Sequence, residues 1–486
     1  MNTRHFALGA LAAAQIGCAA GPDYVAPELP DIEFHHAART AAGTFDAASP
    51  EAAWWRTFDD PILSELIDRA LANDFDVRIA DARLRASRAL FREQSLDRFP
   101  AVTAGAAYDR RKAQQPGFTN TRIAAETYEL GFDAAWEIDL FGRVRRGIEA
   151  ARAEAGAAEA NLHAAQVSVA AEVARTYLEL RGAERRRAVA VANRDNQRET
   201  VRITDVRYQH GRGTELDLQS AAARLAATEA GIPSLLAAER AASHRLAVLL
   251  GLQPGTLEEA VDLTPGPQPD ADALESAQTI ADLGAVAIGH PADLLRRRPD
   301  IRAAERQLAA ATARVGIATA DLFPRLSLQG FVGFITGDVG ELGETASEAW
   351  RVTPTLSWAA FDLGSVRARL RAAEAGADIA LAAYEQTVLR ALEETENSFV
   401  SYTHSLERLN ALLRQTAASR RAAELARVRY REGASDFLRL LDAERTVLEA
   451  EDAVAVAQTD VNAAVVAIYK ALGGGWEAAP VIAARN

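Results

Sequence analysis

The sequence predicts an α+β membrane protein in which a long coiled-coil α-helical barrel continues a transmembrane β-barrel, each chain supplying four strands. Three observations carry that expectation. The chain is internally duplicated, with Pro100 returning as Pro324 and Trp136 as Trp358. Four segments alternate apolar and polar residues with the period of a half-buried strand. Two proline-free stretches keep a helical pattern far longer than a globular helix.

Composition narrows the function classes. The 486 residues are 49% hydrophobic and 25% charged, which excludes a disordered chain and leaves ample surface to bury. A net charge of −13 argues against nucleic acid as a partner, because phosphate binding needs a basic face. A single cysteine, Cys18, excludes an internal disulfide framework and a cysteine metal cage. The eight histidines are scattered without HExxH spacing, and there is neither a GxSxG elbow nor a P-loop. No enzyme activity, metal or cofactor is expected.

At the start of the chain, Arg4 and His5 precede an apolar run, Phe6–Ala14, too short to span a bilayer. This is the layout of a secretory signal. It ends at Gly17-Cys18 and resembles a bacterial lipoprotein signal, in which residues 1–17 are removed and Cys18 is acylated. Gln15 stands where such signals usually carry leucine, and ordinary signal cleavage after Ala20 is the alternative. Ala19 resembles the outer-membrane-directed class. Residues 18–58 then form a lipid-attached N-terminal segment. No later run of ~18 uncharged apolar residues follows, so any membrane crossing must be made of strands.

The first repeat covers 59–251, with a strand pair at about 101–137 and a helical hairpin at about 142–251. The second covers 290–476, with strands at about 325–359 and a hairpin at about 364–473. Pro254, Pro265, Pro267 and Pro269 mark the linker and equatorial segment, 252–289, and residues 477–486 form a tail. Each repeat opens with a helix (about 74–98 and 299–322) that stops at a Phe-Pro dipeptide, since proline pushes the preceding residue out of the helical region. Alternating segments follow. Tyr128, Leu130, Phe132, Ala134 and Trp136 share one face, and Glu129, Gly131, Asp133 and Ala135 the other. Aromatic ends suit a membrane-interface girdle, although a soluble hairpin has the same period. Pro354 interrupts the last segment, where it removes a ladder hydrogen bond.

The long helical stretches carry a seam in steps of four and three: Val144, Ile148, Ala151, Ala155, Ala158, Leu162, Ala165 and Val169 in the first copy. Val366, Leu370, Ala373, Ala377, Ala380, Tyr384, Thr387 and Ala391 repeat it in the second. Arg143 to Gln209 alone would reach ~100 Å as one helix. Turns are expected at Gly211–Thr214 and Gly433–Ser435. Four strands cannot close a barrel, and open edges are not tolerated in lipid, so several protomers must share one cylinder. Such a cylinder has a bore.

Seven segments together resemble the TolC-type outer-membrane efflux family, in its NodT-like lipoprotein branch. They are GPDY at Gly21–Tyr24, Trp54-Trp55, RRPDIRAAE at Arg297–Glu305, LFPRLSL at Leu322–Leu328, SWAAFDLG at Ser357–Gly364, RYREGASDFLRLLDAE at Arg429–Glu444 and YKALGGGW at Tyr469–Trp476. The resemblance implies a homotrimer with a twelve-stranded barrel in the outer-membrane lipid, a twelve-helix periplasmic tunnel and a mid-height belt. It implies a periplasmic adaptor and an inner-membrane pump, of the RND type, as partners. The role implied is that of a passive exit duct; a channel for type I protein secretion and a non-conducting coiled-coil envelope scaffold are the alternatives.

The resemblance also carries site expectations. A periplasmic gate maps to Asp442 and Leu438, at i and i+4 on one helical face, where three carboxylates around a pore would attract cations. The other reading of Asp442 is a solvated helix residue. A closed-tip tether maps to Tyr430 and Asp217, although Thr214-x-x-Asp217 equally resembles a capping box. Gly211, Arg212 and Gly433 are the tips where an adaptor would dock, and the two glycines are also helix-ending residues. Glu129, Asp133 and Glu137 either line the lumen or simply face water.

Overall fold

The computed structural model describes residues 19–28, 33–40, 44–114, 121–263 and 285–479. Cys18 and the signal segment 1–17 lie outside the described residues, as do residues 264–284 of the linker and 480–486 of the tail. Contacts divide the chain into two units. One comprises Met1–Glu28, Arg83–Glu159 and Ala303–Gln386; the other comprises Leu29–Ala82, Ala160–Arg302 and Thr387–Asn486.

After short elements at His35–Arg39, Phe45–Asp46 and Trp54–Phe58, the first long helices are α1 (Pro61–Asn73) and α2 (Phe75–Leu96). The Asp60 side chain caps α1 by accepting from the Ile62 and Leu63 amides, and Pro61 occupies the first turn, where its missing N–H costs nothing. Leu63, Leu66, Ile67, Ala70 and Leu71 form its buried stripe. Asp74 then accepts from the Asp76 and Val77 amides and so opens α2 as a separate helix. Sequence reading found α2 but not α1. The Asp-Pro start and the i, i+3, i+4 leucines were the signal for it.

Four strands follow in two pairs: β1 (Ala101–Gln114), β2 (Arg122–Ile138), β3 (Arg325–Thr336) and β4 (Glu348–Ser357). They form one antiparallel sheet in the order β1-β2-β3-β4, all within the first unit. Register is continuous: Val102 opposes Ala134, Phe132 opposes Val332, and Val332 opposes Trp350. Pro354 lies on the edge strand β4 opposite Leu328, so the strand tolerates it. β1 and β2 are 14 and 17 residues long, more than the ~10 a tilted membrane strand needs, and carry a charged stretch, Asp109–Lys112, past Tyr108 and Tyr128.

The helical hairpins are α3 (Arg143–Gln209) with α4 (Glu215–Leu249), and α6 (Leu363–Arg431) with α7 (Phe437–Ala471); α5 (Pro299–Ala320) precedes β3. α3 is 67 residues and α6 is 69, as the uninterrupted periodicity demands. Every seam position named from sequence is buried or half-buried, with Val144, Ile148, Leu162, Val169, Val366, Tyr384 and Ala391 fully so. α4 continues through Pro233. Gly211, Gly251, Gly433 and Gly473 all end helices with φ near +70°. At each, the glycine amide bonds three residues back and the next amide five back, which satisfies carbonyls the helix end would orphan. The duplication is thus visible turn by turn.

In the second unit, Phe45–Asp46 pairs in parallel with Val286–Ala287, a contact between segments too short for sequence to announce. Trp54 and Trp55 are fully buried there, with Trp54 stacked on Tyr469 at 5.3 Å. Gly475 lets the backbone pass: a Cβ there would lie 3.0 Å from the Trp54 Nε1. This links the WW and GGGW segments.

Candidate functional site: the sheet and the hairpin ends

The sheet has two unlike faces. On one, Val102, Tyr108, Leu130, Phe132, Val332, Trp350, Val352 and Leu356 all point into open space, Trp350 being 79% exposed. An apolar face of this extent, unpaired with any core, is what a lipid-facing wall needs. The other face carries Thr103, Asp109, Glu129, Asp133, Glu137, Gln329, Arg351 and Thr353 by register. Of the large apolar residues on that face, Ile123 and Ile335 are exposed and Phe331 is buried. Its ring lies against Gly131, where a Cβ would come within 2.7 Å. The Arg351 guanidinium sits 5.9 Å from the same ring. Among the described residues no helix is long and apolar enough to cross a membrane.

Each strand pair is pinned to the preceding helix end in the same way. The Trp136 indole donates to the Arg98 carbonyl at 3.1 Å, and the Trp358 indole to the Leu322 carbonyl at 3.0 Å. Both acceptors stand immediately before a Phe-Pro dipeptide. Glu137 is held by Arg143 and Asp139 by Arg145, so the acidic residues closing β2 are structurally engaged.

The N-terminal GPDY segment docks into the same unit. Gly21 has φ +82° and a Cβ there would sit 2.6 Å from the Gly316 Cα. Asp23 accepts from Arg146 at 2.7 Å, and the Tyr24 hydroxyl donates to Glu305 at 3.1 Å. Burial, together with the neighbouring Glu305 carboxylate, pushes the Tyr24 hydroxyl up to about 12. A 740 Å³ cavity borders these residues, lined by Arg88, Arg92, Arg152 and Arg306 among others.

At the hairpin ends, all within the second unit, Tyr430 is buried with Phe437, Leu440 and Ala221. The Arg207 guanidinium lies 4.5 Å from the Tyr430 ring centre and donates to the Tyr430 carbonyl at 2.8 Å. Asp217 closes a capping box: Thr214 Oγ1 accepts from the Asp217 amide, and Asp217 accepts from the Thr214 amide, both at 3.1 Å. Among the described residues no hydrogen bond joins Asp217 to Tyr430. The tyrosine is covered by Arg207, which the sequence reading did not single out. Arg212 supplies the amide that closes the Gly211 turn, and a Cβ at either Gly211 or Gly433 would meet open space.

Asp442 and Leu438 share one exposed face of α7, 68% and 65% exposed respectively. Asp442 pairs with Arg445 one turn on, at 2.7 Å. This partner stands at i+3 and was readable from sequence, yet was missed. A little further from the turn, Glu444 is buried between Thr200 and Arg427, at 3.0 and 3.1 Å. Glu451 accepts from Asn193 at 3.0 Å and Arg420 at 2.8 Å, one heptad away. The contact between the two hairpins is therefore a layered polar seam. Among the described residues no group of three or more histidine, cysteine or acidic side chains could hold a metal.

An antiparallel sheet with two open edges and an exposed apolar face, joined in the chain to helical hairpins of this length, defines an outer-membrane channel protein. The comparisons agree. The chain belongs to the outer membrane efflux protein family, whose model matches residues 66–252 and 291–474. A solved structure of the outer-membrane channel OprN is 51% identical, with a TM-score of 0.87, covering 95% of this chain and 100% of that one. Outer membrane protein OprJ of Pseudomonas aeruginosa is 34% identical, over 95% of this chain and 93% of its own length. Nodulation protein T of Rhizobium leguminosarum bv. trifolii is 29% identical, over 95% of both. The family is one of efflux channels rather than enzymes.

Proposed function

We propose that this outer-membrane efflux protein is the passive exit duct of a tripartite system, three copies joining their sheets into one twelve-stranded barrel. The observation that carries the reading is the four-stranded sheet, whose edges β1 and β4 are unpaired and whose apolar face is bare. In lipid every backbone polar group must be paired, so neighbouring copies must supply the missing ladders. Three copies give a strand count within the range of known barrels. The two repeats, bounded as in the sequence, then each contribute a strand pair and a hairpin reaching into the periplasm.

In this reading Cys18 carries the lipid anchor, and a periplasmic adaptor docks at the tips Gly211, Arg212 and Gly433. An inner-membrane pump of the RND type supplies the energy. Asp442 and Leu438 form the constriction: both are exposed in the chain and project from one face of α7, near its turn. Some relatives are named as pumps' outer-membrane components, such as the solvent efflux protein SrpC of Pseudomonas putida, which supports the pump partner.

The test is single-channel conductance of purified protein in planar bilayers. Small cation-preferring openings that grow in Asp442→Ala support both duct and constriction. Equal conductance in both proteins moves the constriction elsewhere, and silence from both, with protein soluble without detergent, overturns the duct.

A further inference from the structure

The hairpin ends are repeats of one another, yet only one of the two contacts that duplication calls for is made within the chain. Arg207 of the first repeat covers Tyr430 of the second. The repeat spacing that carries Trp136 onto Trp358 carries Arg207 onto Arg429 and Tyr208 onto Tyr430. The complementary pair, Arg429 and Tyr208, is therefore present in the sequence. Both side chains are exposed, and among the described residues neither has a partner.

The surroundings repeat as well. Ile203, one turn before Arg207, packs on the Tyr430 cluster; its counterpart Leu425, one turn before Arg429, is 48% exposed. The Asn193–Glu451 bond maps onto an amide and a carboxylate again, Gln415 and Glu229; Gln415 is exposed, and Glu229 is paired with Arg198 at 2.7 Å as Glu451 is with Arg420. A guanidinium on an aromatic face gains most when both are desolvated, which a second copy would accomplish.

We propose that Arg429 of one copy stacks on Tyr208 of the next, so that arginine–tyrosine clamps alternate within and between chains around the hairpin ends. This rests on the homo-oligomer proposed above and names the residues that join its copies there. The duplication is not complete. Thr200 and Glu444, which bond across the in-chain contact, map onto Ala422 and Ala222. The contact between copies consequently has fewer polar ties than the contact within one, and the clamp is its chief polar tie.

Cross-linking tests this on the full-length protein in detergent. Tyr208→Cys/Arg429→Cys, treated with a short bismaleimide, should give dimer and trimer bands on a denaturing gel, above the background of either single variant. Arg207→Cys/Tyr430→Cys should link without any gain in mass. A trimer by light scattering with no ladder from the first pair overturns the clamp while leaving the oligomer intact; a monomer by light scattering overturns both. A second readout uses milder changes. Arg429→Ala and Tyr208→Ala should each lower the temperature at which the trimer dissociates, with the double variant no worse than either single and Tyr208→Phe close to wild type. Additive losses, or no loss, count against the clamp.

Discussion

At the residue scale, the pairing of Asp442 with Arg445 changes what removing the carboxylate does. Exposed ion pairs contribute little to stability, so Asp442→Ala should leave the melting temperature nearly unchanged. It does, however, take from Arg445 the nearer of its two counter-charges, leaving only Glu449 at 3.9 Å. Three less fully compensated guanidinium groups at a constriction would weaken its pull on cations, so the variant's reversal potential in a salt gradient should move away from cation preference. Asp442→Ala/Arg445→Ala should return the channel close to unselective. Another residue carries a pH signature. Glu172 is gripped by Arg175 at 2.8 Å, with Arg245 at 3.3 Å, and the hydrogen bonds from Arg175 hold its carboxyl below the usual glutamate range. The folded protein therefore keeps this carboxylate ionised at pH values where the unfolded chain binds a proton. The stabilisation is present above the unfolded pKa and is lost as pH falls through the lower, folded one. Glu172→Gln should accordingly flatten part of the acid limb in a plot of melting temperature against pH.

At the scale of the element, the turns and the sheet make separate demands. Gly211 and Gly433 have positive φ with nothing near the position a Cβ would take, so alanine there tests backbone conformation alone. Each change should cost about 1 kcal/mol and speed amide exchange in the last turns of α3 and α6. Thr214→Ala removes half a capping box and should loosen the start of α4 by a similar ~1 kcal/mol. Gly131→Val is harsher, because the new Cβ meets the Phe331 ring and the Val332 carbonyl at 2.7 Å. Sheet formation should fail, and the yield of heat-resistant oligomer on gels should fall steeply. The regular elements were legible in sequence because their periods are intrinsic: a seam step of four and three cannot be a strand, and Tyr128–Trp136 cannot be a helix. What escaped depends on partners distant in the chain or too short to show a period. The α1–α2 break turns on one aspartate, Asp74, whose side chain captures two amides. The Phe45–Asp46 pairing with Val286–Ala287 spans two residues on each side. The same limit applied at the hairpin ends. The glycine turns and the Thr214–Asp217 box are local and were readable, whereas the cover over Tyr430 comes from Arg207 on another helix.

For the whole molecule, the duplication means that one short design is used twice with different consequences. The indole-to-carbonyl pins at Trp136 and Trp358 are alike because each is internal to a strand pair and its helix. The hairpin contacts differ because one is made within the chain, where Glu444 lies buried and Glu451 half-buried in it, and its counterpart must be made by another copy. Extraction should reflect the bare apolar face of the sheet: the protein should leave membranes only with detergent, and withdrawing detergent should precipitate it. Material that stays monodisperse without detergent would contradict a lipid-facing wall.

The two open edges of the sheet also bear on heredity. A chain whose own strands are sound but which cannot accept a neighbour still occupies a place that a sound copy would have filled. In a three-copy assembly with equal expression of both alleles, only about one assembly in eight would contain no faulty member. A variant blocked at β1 or β4 should therefore be dominant, poisoning export in a cell that also carries the wild type, whereas a null allele should be recessive.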